Sequence, residues 1–138
     1  MRKLVQGIVL LLTLSFAMPR FAWPVSPCDG VDRGLTDSSK VKWAPMIARQ
    51  LHAKKVDVLQ SFRFEGWYII YVDTHESDET FLFYSHSPLR SHFVTMWSGG
   101  AAMNEEQSIK SWTLKNAPGI PQKLAGCFAW YVTNGRSE

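Results

Sequence analysis

Residues 56–72 read VDVLQSFRFEGWYIIYV. Val56, Val58, Phe62 and Phe64 alternate with Asp57, Gln60-Ser61 and Arg63, the period of a strand with one face inward. Glu65-Gly66 then supplies a two-residue turn, and Trp67-Tyr68-Ile69-Ile70-Tyr71-Val72 follows as a dense β-branched and aromatic run. The pattern predicts a β-hairpin. Its second strand is apolar on both faces, which suits a central place in a sheet covered by a helix on one side.

Working outward, Asp73–Glu79 reads as a polar connection, Thr80–Ser85 as a third strand, His86–Arg90 as a turn built on Ser87-Pro88, and His92–Trp97 as a fourth strand. Ahead of the hairpin, Ala44, Ile47, Ala48 and Leu51 follow the i, i+3, i+4, i+7 spacing of an amphipathic helix. Pro45 fits its first turn, so a start near Lys42 is expected, or near Lys40 with a kink. After Ser98-Gly99-Gly100, Asn104 is expected to cap a second helix that ends at Asn116-Ala117-Pro118-Gly119. Pro121–Ala125 suggests a short helical turn, and Cys127-Phe128-Ala129-Trp130-Tyr131-Val132 a last strand. The expected fold is a single two-layer α+β domain: a four- to five-stranded, mainly antiparallel meander with an N-terminal helix and a second helix before the last strand.

The N-terminus speaks to compartment. Met1-Arg2-Lys3, an apolar run to Ala17 and the small residues Ser15 and Ala17 form the pattern of a secretory signal peptide over residues 1–17. The run of about 14 residues is short of the ~20 that span a bilayer, so no membrane anchor is expected after cleavage. Residues 18–39, rich in proline, glycine and short polar side chains, read as an extended arm, and residues 40–138 as one domain. Cys28 and Cys127 are the only cysteines, and in an exported chain they are expected to pair. Periplasmic or secreted localisation follows.

Of the 15 basic residues, Arg2 and Lys3 leave with the leader, and 13 against 12 acidic gives a charge near +1. No Lys/Arg cluster stands out beyond Lys54-Lys55, which is too little for a nucleic-acid surface. The stretch 73–92 holds three of the four histidines and four carboxylates, which raises the question of a catalytic or metal loop. Its spacing matches neither a His-Glu-x-x-His helix nor a calcium loop. No glycine-flanked serine accompanies Ser85 and His86, and Glu65, Glu76 and Asp78 form no recognised acid pair. No catalytic residue, metal or cofactor is assigned. In a meander, moreover, the 73–79 and 86–90 connections fall at opposite rims.

What remains is recognition. His86, Pro88, Leu89 and Arg90 combine a stiffened backbone with an imidazole, an apolar side chain and a guanidinium, a composition suited to entering another protein's cleft. Trp43 and Trp112, and also Tyr131, are candidates for half-exposed anchors or sugar platforms. The expected function is therefore a small exported binding protein of inhibitor or immunity type, directed at another envelope protein such as a cell-wall hydrolase. The alternatives are a glycan- or ligand-binding envelope protein and a small secreted hydrolase.

Overall fold

The structure, a computed structural model, describes residues 25–136. The expected signal peptide and residues 18–24 of the expected arm lie outside the described residues. The elements run α1 (Asp37–Leu51), β1 (Asp57–Phe64), β2 (Trp67–Asp73), β3 (Thr80–Tyr84), β4 (Thr95–Ser98), a 3-10 turn (Met103–Glu105), α2 (Glu106–Asn116), α3 (Gln122–Trp130) and a π-helical turn (Tyr131–Gly135). The strands form one antiparallel sheet in the order β1-β2-β3-β4. Phe64 pairs with Trp67 across Glu65 (φ 48°) and Gly66 (φ 81°), both in the left-handed region that a tight type I′ hairpin turn requires.

The double apolar period of β2 is explained by helices on both faces of the sheet. Tyr68, Ile70 and Val72, with Leu82 and Tyr84 of β3, meet Trp43, Ile47 and Ala48 of α1. Trp67, Ile69 and Tyr71, with Phe81 and Phe83, meet α2 and α3 on the other side. Here the structure corrects the reading of the C-terminal segment. Residues 127–132, expected as a strand, are helical, continuing α3 into the π turn. Phe128 and Val132 follow Leu124 at intervals of four, and all three are buried. The β-branched and aromatic composition that suggested a strand serves instead to make a helix buried nearly all round. That helix completes the layer covering the second face.

Two helix starts also differ from expectation. Thr36 caps α1, its Oγ1 accepting from the Ser39 N–H at 3.1 Å, so the helix begins at Asp37 and Pro45 sits in its interior. Before α2, Glu105 rather than Asn104 satisfies the turn, its carboxylate accepting from the Ala102 N–H at 2.6 Å.

Cys28 and Cys127 form a disulfide across a separation of 99 residues, with Cα atoms 4.5 Å apart. It ties the turn at residues 27–30 to α3, and the chain then pairs Asp32 with Arg63 on the outer side of β1. Among the described residues no helix is long and apolar enough to cross a membrane.

Candidate functional site

Strand register separates the two polar connections. Val72 pairs with Thr80 and Thr80 with Ser98, so residues 74–79 lie at the rim where β4 ends. Tyr68 pairs with Tyr84, so residues 85–94 lie at the opposite rim, beside Glu65-Gly66. His75 and His86 thus belong to different ends of the molecule.

At the first rim, His75 takes a left-handed conformation (φ 59°), and Asp73 Oδ1 accepts from its backbone N–H at 2.7 Å. Its ring lies between two carboxylates, with Nε2 2.6 Å from Asp57 and Nδ1 3.3 Å from Asp73. The hydrogen bond to His75, aided by Lys55, holds the Asp57 carboxyl below its ordinary range. Among the described residues no three His, Cys, Asp or Glu side chains converge as a metal site would require. Glu79 instead accepts a 2.5 Å bond from the Tyr71 hydroxyl. Burial, and then this bond to the carboxylate, raise the Tyr71 phenol to about 12.

The second rim holds the loop singled out in the sequence. Pro88 is buried, whereas His86 and Arg90 are exposed and Leu89 is 42% exposed. A residue that sequence reasoning missed fixes this loop. Gln50, in the last turn of α1, accepts from the Tyr84 hydroxyl at 2.7 Å and donates to the carbonyls of Ser91 at 2.9 Å and Pro88 at 3.3 Å. Both amide hydrogens and the amide oxygen are engaged, so the side chain has one orientation. Tyr84 is fully buried, and burial holds its phenol neutral far above the ordinary range. The backbone closes on itself as well, Arg90 and Ser91 N–H groups donating to the Ser87 carbonyl at 2.9 and 3.1 Å. Ser85 Oγ lies 3.1 Å from His86 Nδ1. A cleft of about 440 Å³ separates the loop from Gly66 and Tyr68.

The tryptophans fare differently. Trp43, expected to be half exposed, is 6% exposed and packs edge-on against Tyr68 at 6.0 Å, so it is a core residue and presents no platform. Tyr131, also expected at the surface, is 7% exposed against Phe62. Trp112 is half-buried, its ring 6.0 Å from Phe83. The periods explain both errors. Trp43 precedes Ile47 by one helical turn and so shares its buried face, and Tyr131 belongs to a helical segment read as a strand.

Comparison with protein-family models, with characterised proteins and with solved structures finds no match to this chain.

Proposed function

We propose that this protein is a small exported binding module of inhibitor or immunity type, which seats residues 86–91 in the cleft of another envelope protein such as a cell-wall hydrolase. The observation that carries the reading is the Gln50 clamp. A loop held from below by a buried tyrosine and a helix side chain loses little freedom on binding, whereas ordering a mobile loop costs about 0.5–1.5 kcal/mol for each immobilised side chain. Above the clamp stand His86, Leu89 and Arg90, all exposed, and arginine is among the side chains enriched at binding hot spots. The disulfide supports an oxidising compartment.

The test is inhibition of cell-wall hydrolases, assayed on peptidoglycan. Wild type is expected to inhibit at least one as a 1:1 complex on size exclusion. Leu89→Asp/Arg90→Glu should abolish this with unchanged melting, and Gln50→Ala should weaken it by roughly tenfold, since one lost clamp is worth about 1.4 kcal/mol. Equal inhibition by the double variant would remove the loop from the mechanism. A saturable tryptophan-fluorescence response to peptidoglycan fragments alone would favour glycan binding instead.

A further inference from the structure

The opposite rim carries an arrangement that the loop reading does not use. Tyr71, Phe81 and Trp97 are directly paired across β2, β3 and β4, so their rings form a row on one face of the sheet. Tyr71 and Phe81 stack at 4.1 Å, and Trp97 follows at 6.0 Å from Phe81. The guanidinium of Arg136, just beyond the π turn, lies over all three rings at 5.3, 5.2 and 5.6 Å. Its Nη1 donates to the Gly99 carbonyl at 2.7 Å and its Nη2 to the Tyr71 hydroxyl at 3.4 Å, while that hydroxyl donates to Glu79. The surrounding cleft of about 470 Å³ is also lined by Asp73 and Asp78, so three carboxylates face one cation.

We propose that this row is a recognition site for the guanidinium of an arginine side chain on a partner polypeptide, and that Arg136 occupies it in the free protein as a tethered competitor. Among the described residues the cleft offers ring faces, a carbonyl, a phenolic oxygen, the Ser77 hydroxyl and carboxylates, and Arg136 is the one cation lining it. A planar fork can stack on the rings while its N–H groups reach Gly99 and Tyr71, which an ammonium cannot do in the same way. Arg136 is itself exposed, so rotation of one side chain vacates the site without unpacking the core. A short tether holds it at millimolar effective concentration, so an incoming arginine must add contacts to the carboxylates lining the cleft, Asp78 foremost since Asp73 and Glu79 already bond His75 and Tyr71, or meet a chain lacking Arg136.

The experiment titrates full-length wild type, Arg136→Ala and Arg136→Gln with acetyl-Gly-Arg-Gly-amide, reading the Trp97 indole resonance by NMR. The lysine and citrulline counterparts of the peptide serve as controls. Both variants are expected to bind the arginine peptide measurably more tightly than wild type, because a competitor at millimolar effective concentration weakens binding by one plus the ratio of that concentration to the site's own Kd, about tenfold for a Kd of ~0.1 mM. They should prefer it to the lysine peptide and ignore the neutral citrulline one. Adding Glu79→Gln should abolish the gain at Trp97, and Trp97→Leu should abolish it as followed at the backbone amide resonances of Gly99 and Gly100. The proposal is overturned if either variant, folded by circular dichroism, gives no saturable shift up to ~10 mM peptide. It is equally overturned if the citrulline peptide binds as well, or if Arg136 removal lowers only the melting temperature. None of these outcomes depends on the loop at the other rim.

Discussion

Gln50 sits three positions after Ile47 and seven after Trp43, on the buried face of α1, and is the polar exception in that stripe. A polar residue at an inward position signals a partner to be satisfied, so its role was in principle legible. Its partners were not, because Tyr84, Pro88 and Ser91 come to it only through the fold. Arg136 illustrates the harder case: nothing local distinguishes an arginine beside Gly135, and the ring row appears only once three strands are in register. The tyrosines beneath these two sites lead to a prediction about alkali. The fold keeps the Tyr71 phenol neutral to about 12, against 10.0 for its ordinary value, and Tyr84 is raised further by burial. The unfolded chain ionises these groups first, so the stability they contribute is full below pH 10 and is lost as pH rises toward their folded values. The urea midpoint should therefore fall between pH 10 and 12, and Tyr71→Phe should flatten that decline; an identical slope in the variant would dissociate Tyr71 from it.

At the scale of elements, the sheet was readable because its signals are local: alternation in β1, a turn that tolerates positive φ, and a run in β2 too apolar for one face. Residues 127–132 were not, since a short apolar run has no period of its own when buried on all sides, and only packing over Phe81 and Phe83 decides for a helix. Pro45 misled in a different way. Proline prefers the first turn, but Thr36 offers a better cap, and tertiary packing of Trp43, Ile47 and Ala48 carries the helix through the proline. That packing overrides a local penalty, because proline lacks the N–H that would bond to the Val41 carbonyl. Pro45 is exposed, so Pro45→Ala should raise stability in urea by about 1–2 kcal/mol, less than the full ~3 for an interior proline because alanine also frees the unfolded chain. A lower or unchanged midpoint would mean that the proline is accommodated without cost.

For the whole molecule, the cysteine pairing was the most legible long-range feature, since two cysteines allow one bridge. Reduction, or Cys127→Ser, should cost about 2–5 kcal/mol and lower the melting temperature markedly, as expected for removing a native bridge from a small domain. An unchanged melting curve under reductant, in a chain shown to be reduced by thiol counting, would mean that the cores on the two faces of the sheet suffice alone. The same bridge sets a clock on biogenesis. Its two halves are made 99 residues apart, which at ~5–20 residues per second leaves the first sulfur waiting roughly 5–20 s for its mate. During that interval any other thiol in reach is a rival, so oxidation acts as a late inspection that only a chain with α3 already delivered can pass.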